Sequence, residues 1–196
     1  MDIKVLTNLV KDGIMTPEEV WRDFLKKGIV IKDLLQQYII PIIVTVTVIS
    51  TVLNMIFGYP MMGGRFHPSI FRAVWMIIGG IVTYLASLYI FGWISAFLAE
   101  KFGGKNDLNR AVLMLFLISL PSFAGQILGT LPIIGFILSI GLSIYSLVLL
   151  YKAFPLFLDV PLNNQSKCFI IFILISIVVG MILGMITGAI FSPPMR

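Results

Sequence analysis

The 196 residues are 59% hydrophobic and only 12% charged, with a mean hydropathy of +1.04; soluble domains sit near a quarter charged, so an ordinary water-soluble globule is excluded. The net charge of +5 and the pI near 9.4 do not indicate nucleic acid, because the cations are dispersed at the ends of apolar runs and form no stripe. A single cysteine, Cys168, excludes an intramolecular disulfide.

The opening Met1-Asp2-Ile3-Lys4 has none of the layout of a cleavable signal peptide. Residues Ile3 to Val10 predict a short amphipathic helix that ends near Gly13. Thr16-Pro17-Glu18-Glu19 then reads as an N-cap, a proline at the first helical position and a glutamate completing a capping box. Along the helix that follows, Val20, Trp21, Phe24, Leu25, Ile31, Leu34 and Leu35 share one face, opposed by Arg22, Lys26, Lys27 and Lys32. Such a basic amphipathic helix lies in the cytosolic headgroup layer with its tryptophan at the interface; the alternative is a helix packed on the bundle's own cytosolic end.

Charge-free stretches mark the spans, since about 20 apolar residues cross the hydrocarbon core. The first is Ile39 to Gly58, with Pro41 in its opening turn, and the second is Ala73 to Ala99. The uncharged block Ala111 to Tyr151 is too long for one helix. Gly129-Thr130-Leu131-Pro132 divides it into Ala111–Leu128 and Pro132–Tyr151; the four-span alternative makes this block a re-entrant hairpin. The fifth span is Cys168 to Phe191, closed by Ser192-Pro193-Pro194. Eleven cations fall on one side: Lys4, Lys11, Arg22, Lys26, Lys27, Lys32, Lys101, Lys105, Arg110, Lys152 and Lys167. The other side has three, Arg65, Arg72 and Arg196. The asymmetry predicts a cytosolic N-terminus.

None of the five spans contains a charged residue, the usual mark of an ion path, proton relay or intramembrane active site. With one histidine (His67) and one cysteine on opposite sides, a His/Cys metal site lacks ligands. Gly103-Gly104-Lys105 lacks the rest of a phosphate-binding loop. The sequence therefore predicts no enzyme, metal or cofactor. Among polar residues in the spans, Asn54 and Gln126 stand out, as helix–helix glue or as solute contacts. Small residues recur every four positions at Gly79, Thr83 and Ser87, at Gly135, Ser139 and Ser143, and at Ser176, Gly180, Gly184 and Gly188. Such faces let helices approach closely, within one chain or between copies; Gly180, Gly184 and Gly188 are the candidate self-association stripe.

An ordered set of short pieces carries a resemblance. After Trp21 come Tyr38-Ile39-Ile40-Pro41, Leu120-Pro121-Ser122 and Leu131-Pro132-Ile133-Ile134-Gly135. Then follow Tyr145-Ser146-Leu147-Val148-Leu149-Leu150-Tyr151-Lys152-Ala153-Phe154-Pro155, Asp159-Val160-Pro161 and Lys167. Over nearly all of residues 15–192 the chain resembles the Yip domain family, the Ypt-interacting membrane proteins, and Pro121 to Lys167 is the specific part. The resemblance implies a five-helix membrane domain with a cytosolic N-terminus and no catalytic residues. Eukaryotic members resemble ER and Golgi trafficking factors that engage Rab-type GTPases. Here the segment before the first span is short and an Asp-Leu-Tyr-Gly-Pro element is missing, so the resemblance points away from Rab engagement and to a prokaryotic member in the plasma (inner) membrane.

The expected protein is thus an all-α, polytopic bundle of five transmembrane helices. Residues 1–38 form a cytosolic segment with an amphipathic interfacial helix, and residues 39–192 form the membrane domain. Trp21, Arg22, Lys26, Lys27 and Lys32 are the candidate lipid- or partner-binding residues. The favoured function is a non-enzymatic membrane organiser or trafficking-type adaptor that contacts membrane lipids and cytosolic-face proteins. The alternative is a small transporter or channel for a neutral or lipid-like solute, with a path near Gln126 and Asn54.

Overall fold

The computed structural model describes residues 3–61, 64–131 and 134–191. Five helical runs are long and apolar enough to cross a bilayer: Ile31–Phe57, Ile70–Lys101, Leu108–Leu128, Ile134–Leu158 and Leu162–Ile190. The chain is an integral, multi-pass, all-α membrane protein, as its charge-free stretches predict. Pro132 of the expected turn and the closing Ser192-Pro193-Pro194 lie outside the described residues.

Two helices precede the first span, α1 (Ile3–Met15) and α2 (Pro17–Lys27). The first crossing begins earlier than the apolar run, as α3 (Ile31–Leu34), and continues through a π-helical turn (Leu35–Ile39) into α4 (Ile40–Phe57). Pro41 is therefore inside a continuous helix and not in an opening turn. An interior proline has no N–H to give and crowds the carbonyl four residues back, here Gln37. The π turn widens the helix at that point, with the Ile40 N–H reaching five residues back to the Leu35 carbonyl.

After α4 the chain forms a feature the sequence did not suggest, a small antiparallel hairpin of β1 (Tyr59–Met61) and β2 (Gly64–Phe66) that pairs Tyr59 with Phe66. Gly58 enters it at φ +74, where a β-carbon would crowd Arg65 and His67. The hairpin folds back over the end of α4: the Arg65 guanidinium donates to the Phe57 carbonyl, and His67 Nδ1 bonds the Met55 carbonyl at 3.0 Å. These two residues satisfy carbonyls that the helix terminus leaves free.

Four helices complete the bundle: α5 (Ile70–Lys101), α6 (Leu108–Leu128), α7 (Ile134–Leu158) and α8 (Leu162–Phe191). Successive crossings alternate in direction, which gathers α2, the α5–α6 loop and the α7–α8 turn at one end (the basic end) and the β-hairpin and the α6–α7 turn at the other. α6 is the central helix. It packs on α1 to α5 and most extensively on α7, and Val112, Met114, Phe116, Leu117 and Leu120 are fully buried. The α6–α7 pairing is close because Gly125 and Gly129 lie against Ser139, and Gly135 lies against the Leu128 backbone. Large apolar side chains on α5, α7 and α8 point outward, Phe71, Ile137, Leu174 and Met181 among them. In a bilayer that surface meets hydrocarbon.

α1 ends at Met15, two residues beyond the expected stop near Gly13, and it packs on α6 through a buried Gly13 while Lys11 and Asp12 stay exposed. A β-carbon on Gly13 would collide with Leu120, in the middle of α6. Thr7, Val10 and Lys11 line an apolar groove of about 370 Å³ together with Ile42, Ile49 and Phe123.

Candidate lipid- and partner-binding surface

At the basic end, α1 and α2 are separated by one residue, Thr16. The expected capping box does not form. Thr16 Oγ1 donates back to the Asp12 carbonyl at 3.3 Å, closing α1, and makes no cap bond to α2. Capping would need the same oxygen to accept an N–H from the first turn of α2, and with Thr16 turned toward Asp12 it accepts none. Pro17 still starts α2 with its φ preset for a helix, and Glu18 and Glu19 in the first turn oppose Lys26 and Lys27 in the last, matching the helix dipole. Gly28 ends α2 in the left-handed conformation, φ +57, with its N–H on the Leu25 carbonyl.

The apolar face of α2 turns into the protein. Trp21 is 1% exposed and Phe24 3%. Trp21 meets Phe157 of α7, and Phe24 meets Tyr38 at 5.1 Å. The expected placement of Trp21 at the lipid interface is thus replaced by burial against the bundle. The physical reason is an apolar seat at the end of α7, where Phe157 is fully buried and meets the indole edge to face.

The opposite edge of α2 carries its cations outward. Arg22, Lys26 and Lys27 are all exposed, as is Lys32 in α3 just beyond. Lys27 pairs with Asp23 at 2.7 Å and lies 5.4 Å from the Phe24 ring; the hydrogen bond to Asp23 holds its ammonium above the ordinary pKa. Lys152 faces Glu18 at 3.5 Å and so ties α7 to α2. Asp159, at φ +52, accepts Lys105 at 2.8 Å and Arg110 at 3.7 Å, joining the α5–α6 loop to the α7–α8 turn. Sequence reasoning noted the Asp159-Val160-Pro161 motif without this role. Tyr145 Oη donates to the Ile14 carbonyl at 3.0 Å, and Gln165 Nε2 to the Tyr151 carbonyl at 2.7 Å. Through these bonds α7 is tied to the end of α1 and to the start of α8.

The other candidate residues lie elsewhere. Asn54 is buried in α4 and donates to the Ser50 carbonyl at 2.8 Å, within its own helix. Gln126 is exposed on α6. Neither lines the groove beside α1 or the cavity between α5 and α8. A β-carbon added to Gly180, Gly184 or Gly188 would meet nothing within 4 Å, so their face of α8 is open in the single chain.

A family model for the Yip1 domain matches residues 13–187. The chain belongs to the Yip1 domain family. The match reaches from Gly13, seated on Leu120, to Thr187 in α8, and so takes in all five crossings of this Yip1 domain as well as α2 with its basic edge. No match was found among curated proteins or among solved structures.

Proposed function

We propose that this Yip1 domain protein is a non-enzymatic membrane adaptor whose N-terminus is cytosolic and whose basic end gathers anionic lipid. The observation that carries the reading is the two-faced placement of α2. Trp21 and Phe24 are locked into the bundle, while Arg22, Lys26 and Lys27 are held outward, with Lys32 of α3 exposed beside them. Lys101, Lys105, Arg110, Lys152 and Lys167 lie at the same end of the bundle. The sided charge distribution supports the orientation. Each cation near an anionic surface contributes about 1 kcal/mol, an effect that decays within a Debye length.

The test is lipid retention by the full chain. Purified from native membranes or reconstituted in mixed nanodiscs, the wild type should retain anionic phospholipid in preference to phosphatidylcholine. The combined Lys26→Gln, Lys27→Gln and Lys32→Gln variant should lose most of that preference, as should the wild type at high salt. Equal retention by variant and wild type at low salt would overturn the reading.

A further inference from the structure

Four helices, α5 to α8, line an open-sided cavity of about 440 Å³ in the membrane-spanning region. Its walls are apolar, Phe91, Ile118 and Phe172 among them, and among the described residues the only polar side chains that line it carry hydroxyls. Each of the four helices contributes at least one: Tyr84, Ser87, Ser119, Ser122, Ser146 and Ser176.

The hydrogen bonding of all but Ser87 can be followed. Ser119 Oγ donates to the Phe116 carbonyl at 2.7 Å, so Tyr84 Oη is the donor in its 2.9 Å bond to Ser119. Ser122 and Ser146 share one hydrogen at 2.8 Å, and whichever accepts keeps its own proton unused. Ser176 Oγ is buried and has no hydrogen-bond partner among the described residues. Hydroxyls on membrane helices ordinarily bond the carbonyl one turn back, as Ser143 does to Ser139 and Thr187 to Leu183 in this protein. Helix–helix glue accounts for the Tyr84–Ser119 and Ser122–Ser146 bonds but leaves Ser176 unexplained. In hydrocarbon an unsatisfied polar group is costly.

We propose that this cavity binds one molecule of an uncharged lipid alcohol, its hydroxyl taken up by the unused capacity of Ser176 and of the Ser122–Ser146 pair. The volume lies within the range of about 300–1,000 Å³ usual for small-molecule sites. Charge complementarity sets the ligand class: among the described residues no carboxylate, ammonium or guanidinium lines the cavity, so a charged headgroup would enter hydrocarbon unpaired. A hydroxyl both donates and accepts, as the free Ser176 Oγ requires, and the apolar walls suit a hydrocarbon chain.

The full chain in phosphatidylcholine nanodiscs can be photolabelled with a diazirine-bearing hexadecanol, alongside matched hexadecane and hexadecanoic acid probes. The alcohol should label α7 and α8 peptides saturably, compete with unlabelled hexadecanol, and exceed both other probes. Ser176→Ala should weaken saturable labelling roughly 3- to 10-fold, the worth of one hydrogen bond, at an unchanged unfolding temperature. Equal labelling by alcohol and alkane on the wild type would overturn the proposal without recourse to any variant. So would preference for the acid, or wild-type labelling by Ser176→Ala. Because the disc lipid is neutral, the result is independent of anionic-lipid retention at the basic end.

Discussion

Trp21 and Phe157 meet edge to face with ring centroids 5.7 Å apart, and this contact fixes the direction in which the cations of α2 point. The indole is almost wholly buried, yet its Nε1 has no hydrogen-bond partner among the described residues. The apolar body of the ring therefore provides the anchorage. Trp21→Ala should destabilise the protein by about 3–5 kcal/mol, the usual cost of removing a buried aromatic. Trp21→Phe should cost clearly less, since it keeps most of the apolar surface and removes an unsatisfied donor. Thermal unfolding in detergent measures both. A Trp21→Ala protein that unfolds at the wild-type temperature would show that the ring is not seated on α7.

Gly13 gives a second, local test. Its α-carbon lies so close to Leu120 that no side chain fits without movement. Gly13→Leu should displace α1 from α6 at a cost of about 1–3 kcal/mol, typical of overpacking. Leu120→Ala in the same chain should recover part of the loss by opening space. The measurement is amide exchange over residues 7–15, which should rise in Gly13→Leu and fall again in the double variant. Unchanged protection in Gly13→Leu would mean that α1 is not wedged against α6.

These two residues also show where the sequence stops being informative. The five crossings are legible because charge is excluded from hydrocarbon, and that exclusion leaves long runs free of Asp, Glu, Lys and Arg. An amphipathic pattern, by contrast, identifies the apolar face of a helix without saying whether lipid or protein covers it. Trp21 and Phe24 satisfy either, and only their contacts with Phe157 and Tyr38 decide. Gly13 reads as a helix stop, because glycine both ends helices and permits close packing, and only its closeness to Leu120 reveals the second role. Four-residue spacing of small residues is ambiguous in the same way. Gly135 and Ser139 have that spacing and are packed on α6, whereas Gly180, Gly184 and Gly188 have it and face open space.

Orientation can be read directly. Cys168 is the single cysteine, so a Cys168→Ala background has no thiol and is silent to a membrane-impermeant thiol reagent. On it, cysteine at Asn106, exposed in the α5–α6 loop, and cysteine at Leu131, exposed in the α6–α7 turn, sit at opposite ends of α6. The side with eleven cations should be cytosolic. In intact cells the Leu131→Cys protein should label, and the Asn106→Cys protein only after the membrane is opened. The reverse pattern would invert the topology, and labelling of both positions in intact cells would contradict a full crossing by α6.

The open stripe on α8 makes the last prediction one about copies of the chain and not about the fold of one copy. Gly184 has no neighbour within 4 Å for a side chain to strike, so Gly184→Leu removes no contact inside the monomer. Leucine is also favoured over glycine in a helix by up to about 1 kcal/mol. The unfolding temperature of the monomer in detergent should therefore stay level or rise slightly. If two copies meet along Gly180, Gly184 and Gly188, close backbone approach is what holds them, and a leucine between the helices should abolish it. Cross-linking in native membranes then reports a loss of dimer in Gly184→Leu while the monomer remains stable. A lowered monomer unfolding temperature would instead place a packing partner from the same chain on this face, and an undiminished dimer would remove the stripe from the interface.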